Sequence, residues 1–285
     1  MDSHLTTKAT RWGICSAGCI SRDFSHCLKS LPSSEHEIVA VAARDLKRAQ
    51  SFAKDFGILT AYGSYLELAK DPDVDVVYIG TIHPEHHRVT LLFISHGKNV
   101  LVEKPAAMNL KQLKEMTSLA KEKKVFFMEA VWTRFFPLYQ RILNEMSNET
   151  IGKARVLRLE LAIPISNRER IRSKVLGGGA LLDMGVYPLN IAVFLFGKPD
   201  DISVQGTMMG DTEVDEGACV IFKYNDGRMA QLLYNVTFKG MNEGVIYGTH
   251  GLKESPVVPV SHSEYVMDLV DKIKSKTGLR YDVDE

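Results

Sequence analysis

The sequence carries no excess charge and few cysteines. Its 285 residues include 35 Lys and Arg against 35 Asp and Glu, and only 4 Cys. Because no net field attracts an acidic polymer or an anionic surface, we expect neither nucleic acid nor a membrane as a partner. The cysteines form no C-x-x-C pair, and three of them, Cys15, Cys19 and Cys27, fall in one early segment. This usage is typical of reduced thiols in a cytoplasmic protein rather than of a disulfide framework.

Long apolar runs and repeats are also missing. We find no apolar run of transmembrane length, no signal-peptide pattern after Met1, and no internal repeat or low-complexity linker. What remains is ordinary globular composition, with 45% hydrophobic and 25% charged residues. A chain of this length buries a large core and usually divides into two domains. The composition therefore predicts a soluble, cytoplasmic, two-domain protein.

The first 130 residues alternate short apolar strands with helices, which predicts a doubly wound parallel sheet of the α/β class. Predicted strands cover residues 11–15, 37–43, 74–79, 99–103 and 125–128. Ser64 and Asn109 are predicted helix caps, and Gly57 is a predicted helix end. The first helix is expected to bury one apolar face, made of Phe24, Cys27, Leu28 and Leu31.

The turn after the first strand resembles a phosphate-binding loop. Ser16, Gly18 and Ser21 fill the three positions of G-x-G-x-x-G/A, where the central glycine lets a pyrophosphate approach a helix N-terminus. The match is degenerate, and an ordinary glycine-containing turn is an equal alternative. Its context favours a nucleotide site, because a second buried strand follows.

Two arginines follow that second strand. At this point of a nucleotide-binding unit an acidic residue favours the ribose of NAD, whereas an arginine favours the 2′-phosphate of NADP. Arg44 and Arg48 lie one helical turn apart, so both guanidinium groups can reach one phosphate. Asp45 is interpreted either as a ribose contact or as the cap of the next helix. The pair predicts NADP, with a solvated run of charge as the alternative.

Lys104 ends the strand that begins at Asn99. Pro105 keeps the lysine out of the helical region, so it stands extended at the carboxyl end of a strand, where ligands bind in open α/β sheets. A fixed cation there can serve chemistry. From composition alone, a surface lysine in a loop is the alternative.

From about residue 131 the pattern changes. Strand-like runs at 156–162, 202–207, 218–224 and 229–238 surround an apolar helix at 180–196, and a last helix is predicted near 263–276. This predicts an α+β domain with a mainly antiparallel sheet. Asp183 and Tyr187 lie four residues apart on one face of the apolar helix. Facing Lys104, they would handle protons, because the cation favours a phenolate that accepts a substrate hydroxyl proton. The alternative is a core aromatic and a carboxylate near a helix start.

Three stretches together resemble one enzyme superfamily, that of glucose–fructose oxidoreductase, inositol dehydrogenase and MocA. They are the phosphate loop Gly13 to Ser21, the run Val102-Glu103-Lys104-Pro105, and the segment Gly177-Gly178-Gly179 to Tyr187. Tyrosine at 187, where many members carry histidine, is a mark of the dihydrodiol dehydrogenase subgroup. The resemblance covers nearly the whole chain.

The resemblance implies a Rossmann domain over 1–130 and a substrate-binding, dimerising α+β domain with an open sheet over 131–285, with the site between them. The implied reaction is NADP-dependent hydride transfer from a trans-dihydrodiol, giving a catechol, or from an aldopyranose such as D-xylose, giving the lactone. The partners implied are the small-molecule substrate and a second copy of the chain, with no metal. The implied catalytic residues are Lys104, Asp183 and Tyr187. The implied cofactor-binding residues are Ser16, Gly18, Ile20, Arg44, Arg48, His83, Glu103 and Lys104. The implied substrate-pocket residues are His83, Trp132, Arg134, Asp183 and Tyr187.

One departure from the family pattern lies near the end. Relatives carry a long segment between the turn Gly248–Gly251 and a Leu-Lys-Glu-Ser-Pro stretch, but here Leu252 follows at once. In relatives that segment adds aromatic residues to the pocket and part of the dimer sheet. The rival hypothesis is therefore an impaired NADP-binding paralogue or splice form, with an exposed sheet edge. A zinc site at His83, His86 and His87 is disfavoured because Pro84 interrupts it, and the last two histidines are expected to start a solvent-facing helix.

Overall fold

The structure is a computed structural model that describes residues 8–210 and 212–250. Two sheets account for its strands, one in each half of the chain. The Leu252–Pro256 stretch and the helix predicted near 263–276 lie outside the described residues.

The first sheet is parallel and has six strands. They are β1 Thr10–Cys15, β2 His36–Ala42, β3 Thr60–Tyr62, β4 Val76–Ile79, β5 Asn99–Glu103 and β6 Phe127–Ala130. The connecting helices are α1 Cys19–Lys29, α2 Leu46–Phe56, α3 Tyr65–Lys70, α4 His83–Ser95 and α5 Leu110–Lys123. The order β3-β2-β1-β4-β5-β6 reverses between β1 and β4, and nucleotides bind at such a reversal. The predicted doubly wound sheet is confirmed, although the three-residue β3 had no visible pattern.

The predicted helix ends are confirmed by their hydrogen bonds. The side chain of Ser64 accepts the N–H of Glu67 at 3.3 Å, and that of Asn109 accepts the N–H of Gln112 at 3.0 Å. Gly57 ends α2 in the left-handed region, at φ 64°. Asp45 caps α2 by accepting the N–H of Lys47 at 2.9 Å, which is the second of its two interpretations.

The buried face of α1 differs from the prediction. Ser21, Ser25 and Leu28 are buried, whereas Cys27 is exposed and Leu31 lies beyond the helix at 46% exposure. The reason is close packing on the sheet, since a Cβ at Gly80 would lie within van der Waals overlap of the Ser21 hydroxyl. A helix this close to a strand end buries small residues, so the apolar pattern indicated the wrong face.

The second sheet is mainly antiparallel, as predicted. Its strands are β7 Ala154–Ala162, β8 Asp201–Met208, β9 Asp215–Lys223, β10 Met229–Asn235 and β11 Gly244–Gly248. Their order is β11-β7-β10-β9-β8, and the neighbours β7 and β10 are parallel while the other pairs are antiparallel. A short 3₁₀ turn, Trp132–Phe135, and helix α6, Pro137–Ser147, lead into it. Neither α6 nor β11 was predicted.

The long apolar helix packs on this second sheet and consists of a π-helical turn followed by an α-helix. After the short helix α7, Glu169–Arg172, a π-helical turn covers Leu181–Gly185 and continues as α8, Val186–Phe196. The segment Lys174–Phe196 is long and apolar enough to cross a membrane by length and composition, with a mean hydropathy of 1.6. The expectation of no such run was therefore wrong. The buried residues of the segment Lys174–Phe196 pack against β9 and β10, as those of a core helix in a globular domain do.

Candidate active site between the two sheets

Lys104 stands directly after β5, at the carboxyl edge of the first sheet, and its peptide bond to Pro105 is cis. Its ammonium donates to the main-chain oxygen of Asp183 at 2.9 Å and lies 3.6 Å from Oδ1 of the same residue. The lysine side chain is only 14% exposed. A cation from the first half of the chain is thus held against a helix of the second half.

Asp183 is buried and paired with an arginine that sequence reasoning missed. Arg170, on α7, donates from Nη1 to Oδ1 at 2.9 Å and from Nη2 to Oδ2 at 3.2 Å. Burial raises the pKa of Asp183, but the Arg170 hydrogen bond and the charge of Lys104 outweigh it and hold the pKa below its usual value. Asp183 is therefore a carboxylate over the whole neutral range. Arg170 sits in a polar stretch with several arginines, and no spacing links it to Asp183.

Tyr187 receives a hydrogen bond from an unexpected donor. The indole N–H of Trp132 donates to the phenol oxygen at 3.2 Å, and the two rings meet edge to face. The Lys104 ammonium lies over the Tyr187 ring, 4.8 Å from its centroid, rather than at its hydroxyl. A cation in this position is attracted by the ring face. The structure thus brings together Lys104, Asp183 and Tyr187, and it adds Trp132 as the polar contact of the phenol.

Glu103 points away from the cleft. Its carboxylate accepts the hydroxyl of the fully buried Tyr78 at 2.7 Å and the main-chain N–H of Lys104 at 3.2 Å. Burial raises the pKa of Glu103 above its usual value despite these bonds. The carboxylate thus supports the strand end beneath Lys104, and the contact of Glu103 with a cofactor stays a prediction.

His83 joins the two halves on the other side of the cleft. Its Nδ1 donates to the carbonyl of Gly177 at 3.0 Å, and burial lowers the pKa of His83 to about 4. The imidazole is therefore neutral at neutral pH, and it adds no charge beside Lys104. Gly177 has φ 72°, and a Cβ there would lie 2.7 Å from Cδ of Pro84. Only glycine suits this contact.

The two neighbouring histidines do not both face solvent. His86 is fully buried, with its ring nitrogens 2.8 Å from the Pro105 carbonyl and 3.0 Å from the Thr81 carbonyl. The expectation of exposure was wrong for this residue because α4 packs it against the Lys104 loop. His87 contacts Glu115 at 2.8 Å. Over residues 8–210 and 212–250, no group of three or more His, Cys, Asp or Glu is placed to hold a metal ion.

Arg134 contacts the helix that carries Tyr187. Its Nε donates to Oδ1 of Asn190 at 3.3 Å, and its guanidinium lies over the ring of Phe194, 4.9 Å from the centroid. Both partners belong to α8. Arg134 thus packs against the helix that carries Tyr187.

The carboxyl edge of the first sheet also offers a place for a dinucleotide, at the turn after β1. Gly18 is the N-cap of α1, and within the described chain no side chain caps this helix, so its first N–H groups are open to a pyrophosphate. Ile20 is exposed in the first turn, and Ser16 adopts φ 90° at the turn itself. This left-handed φ is the one for which the usual pattern has glycine. The residues present therefore fit a nicotinamide dinucleotide.

Arg44 and Arg48 are both exposed at this end. Neither guanidinium makes a hydrogen bond or an ion pair with another residue in the described part of the chain. Two exposed guanidinium groups after β2 suit a phosphate ligand.

Comparison with known proteins agrees with this geometry. Residues 10–131 match the model of the GFO/IDH/MocA oxidoreductase family with an NAD-binding Rossmann fold, and residues 139–253 match the GFO/IDH/MocA C-terminal domain. The chain belongs to the GFO/IDH/MocA oxidoreductase family. It is therefore an oxidoreductase, and its first sheet is the nicotinamide-cofactor domain of that family.

Three relatives illustrate the likeness. A Xenopus laevis protein named trans-1,2-dihydrobenzene-1,2-diol dehydrogenase is 46% identical over 250 residues, covering 87% of this chain and 76% of the relative. A Bos taurus protein of the same name is 38% identical over 334 residues, covering 97% of this chain and 99% of the relative. The solved structure of KijD10, a 3-ketoreductase from Actinomadura kijaniata in complex with NADP and TDP-benzene, gives a TM-score of 0.78 at 26% identity. It covers 85% of this chain and 74% of that one.

The bovine alignment also bears on the missing segment. Its 334 aligned positions exceed the 285 residues of this chain by 49, so the relative has at least 49 residues without a counterpart here. These additional residues of the bovine relative agree with the expectation that this chain lacks a segment that relatives carry.

Proposed function

We propose that this protein is an NADP-dependent dehydrogenase that oxidises a small cyclic alcohol. The observation that carries the proposal is the setting of Tyr187, whose oxygen accepts the Trp132 N–H while the Lys104 ammonium lies over its ring. A hydrogen-bond donor and a cation thus lie against the group that would take the proton. The phenolate oxygen then accepts the hydroxyl proton of the substrate.

The other residues of the cleft orient this step. When bound, a nicotinamide ring would accept the hydride from the substrate carbon that carries this hydroxyl. Asp183 holds Lys104 through its main-chain oxygen, and Arg170 holds the Asp183 carboxylate. His83 stays neutral, so it adds no second cation beside Lys104.

The cofactor in this proposal is NADP. Arg44 and Arg48 offer two exposed guanidinium groups after β2, where an NAD enzyme has a carboxylate. Asp45 is engaged as a helix cap and leaves this position positively charged. The KijD10 structure, a more distant relative, also contains NADP.

The substrate proposed first is a trans-dihydrodiol, which would be oxidised to a catechol. The support is the aromatic side of the cleft, where Trp132 and Tyr187 meet edge to face, together with the names of the relatives. An aldopyranose such as D-xylose, giving the lactone, is the second candidate. The rival proposal, a cofactor-binding paralogue without turnover, is favoured by the 49 or more residues that the bovine relative has in addition.

Initial rates decide among these proposals. We would measure the reduction of NADP and of NAD with a panel of trans-dihydrodiols and aldopentoses, beside thermal unfolding with each cofactor. Turnover of a dihydrodiol with NADP is the expected result. Turnover of the aldopentoses alone would move the substrate to the sugar class. Stabilisation by NADP without any turnover would support the rival proposal.

We also propose that the enzyme is a cytoplasmic homodimer that associates through the second sheet. Ala218, Val220 and Phe222 of β9 face the core under α8, so the alternate residues Cys219 and Ile221 face the opposite side. On that side Leu233 of β10 lies directly opposite Cys219. Within residues 8–210 and 212–250 Cys219 is exposed on this face, and an exposed sheet face is a common dimer interface. Sedimentation of Leu233→Asp should show a monomer, while Leu59→Asp, on a residue 96% exposed in the first half, should leave a dimer.

A further inference from the structure

The helix that carries Asp183 and Tyr187 begins without a cap of its own. Its N-cap residue is Ala180, whose side chain accepts no hydrogen bond, and the first N–H groups of a helix have no carbonyl acceptor within it. Asp215, the first residue of β9, supplies an acceptor. Its Oδ2 accepts the N–H of Leu181 at 2.7 Å. A carboxylate of the second sheet therefore caps a helix end that lies 34 residues earlier in the chain.

The approach of Asp215 to the helix is close. Gly179, which precedes the helix, has φ 103°, and a Cβ there would overlap Oδ1 of Asp215. Only glycine lets the carboxylate come this near. Burial raises the pKa of Asp215 above its usual value, although the N–H groups of Leu181 and Ala180 favour the carboxylate. The positive end of the helix dipole also favours a negative charge at this place, so the helix end and the carboxylate stabilise each other.

The capped end lies next to the residues of the candidate active site. Leu181 stands two residues before Asp183, whose main-chain oxygen accepts the Lys104 ammonium at 2.9 Å. That oxygen belongs to the helix backbone, and so it moves when the first turn of the helix moves. A displacement of this turn is therefore passed to the Lys104 ammonium, which lies over the Tyr187 ring.

We propose that Asp215 is a positioning residue of the reaction: its carboxylate fixes the first turn of the helix and thereby holds the Asp183 carbonyl where Lys104 binds it. The inference rests on the proposed function only in giving Lys104 a part in turnover. It extends that function to a strand of the second sheet, which acts on the lysine through the helix backbone.

The physical argument concerns the N–H groups at the helix end. Without the carboxylate, the N–H groups of Ala180 and Leu181 must bind water or turn to another acceptor, and an uncapped first turn frays. Lys104 gives up rotamer freedom to reach the Asp183 carbonyl, so it stays there only while that oxygen is in place. Small displacements of a catalytic group lower the rate steeply.

The test removes the cap in steps. Asp215→Ala removes the acceptor, and Asp215→Ser, whose oxygen lies one bond nearer the main chain, serves if the alanine variant does not fold. Asp215→Asn keeps an oxygen at the same reach for the Leu181 N–H. Asn109→Ala is the matched control, because Asn109 caps α5 in the first half by accepting the N–H of Gln112 at 3.0 Å. Thermal unfolding of each variant compares the loss of one cap with the loss of the other.

Two readouts separate position from stability. The first is the rate at which dilute acetic anhydride labels Lys104 in the protein without cofactor, measured by mass spectrometry against the exposed Lys47. The second is kcat with a trans-dihydrodiol, beside the KM for NADP. For Asp215→Ala and Asp215→Ser we expect faster labelling of Lys104 and a kcat lowered about tenfold. The KM for NADP should stay unchanged, and Asp215→Asn should stay close to the wild type in all three values.

Faster labelling with lower kcat in Asp215→Ala and Asp215→Ser, and neither change in Asp215→Asn or Asn109→Ala, supports the proposal. Unchanged labelling overturns it, whatever happens to kcat, because Lys104 has then not moved. An equal loss of kcat in Asn109→Ala also overturns it, because any lost helix cap would then have this effect. Faster labelling with unchanged kcat does so too, since the position then has no effect on turnover. If the wild type turns over no substrate, the proposed function fails, and labelling alone still decides whether Asp215 holds Lys104 in place.

Discussion

The positive charges at the two ends of the cleft differ in their contacts with other residues. At the cofactor end, Arg44 and Arg48 are exposed and make no hydrogen bond or ion pair with the residues that the structure describes. At the reaction end, Lys104 and Arg170 both contact Asp183, by main chain and by carboxylate. In the proposed function the first end is completed by its ligand, whereas the second is built before any ligand arrives. Pre-organised charge is what a chemical step needs, whereas a binding step can supply the missing partner itself.

The sharpest test of the pre-organised end removes its proposed proton acceptor. Tyr187→Phe keeps the ring under Lys104 but loses the phenol oxygen, so we expect folding and NADP binding to persist while kcat falls by about 10²–10⁴. Lys104→Met should lower kcat as well. In the double variant the losses should not add, because the two residues act on one proton. Steady-state kinetics of the three variants measures this, and additive losses would show that the residues act independently.

A second test separates Arg170 from the reaction itself. In Arg170→Gln the Asp183 carboxylate loses its charged donors, and burial then raises the pKa of Asp183 above its wild-type value. We expect kcat to fall by roughly thirtyfold, as for about 2 kcal/mol of charged hydrogen bonding. The acid limb of the kcat profile should move to higher pH, since the carboxylate is lost as pH falls through the raised pKa. Arg170→Lys should restore part of both. An acid limb that stays in place would mean that Arg170 only packs.

The ligand-completed end should respond in binding alone. In Arg44→Ala we expect NADP affinity to fall by about tenfold, the lower end of a charged hydrogen bond because the site is exposed. NAD affinity and kcat should be nearly unchanged. Calorimetric titration of both cofactors measures the difference. Equal affinity for NADP and NAD in the wild type would remove the basis of the comparison.

The smallest expected effect concerns the turn at the cofactor end. Ser16 holds φ 90°, and a residue with a Cβ pays roughly 1 kcal/mol for such a conformation. Ser16→Gly should therefore raise the midpoint of thermal unfolding, while Ser16→Ala, which keeps the Cβ, should not. A lower midpoint for the glycine variant would show that the serine hydroxyl contributes more than the backbone strain costs.

The sequence predicted the fold well where a single pattern, the alternation of strands and helices, extends along the chain. Strand and helix alternate in the first half, and the caps at Ser64 and Asn109 stand where local hydrogen bonding places them. The α1 face was mistaken because small residues, not large ones, lie against Gly80. Such close packing depends on a neighbour distant in sequence, and periodicity does not show it.

The candidate site was predicted only in part, because some of its contacts also depend on neighbours that are distant in sequence. Asp183 and Tyr187 share a helix, so their spacing was visible, and Lys104 stood out at a strand end. Arg170 and Trp132 reach the site through a short helix and a 3₁₀ turn whose positions depend on the whole second sheet. The π-turn was hidden because Leu181–Gly185 reads as ordinary helix until its hydrogen bonds are known.

At Gly177 the two halves of the molecule touch with no side chain between them. Here the main chain of one half rests directly on Pro84 and His83 of the other, and a single added carbon would lie 2.7 Å from the proline ring. The width of the cleft at this point is thus set by the smallest side chain available. Any larger residue would push the halves apart, and Tyr187 of one half would then lie further from Lys104 of the other.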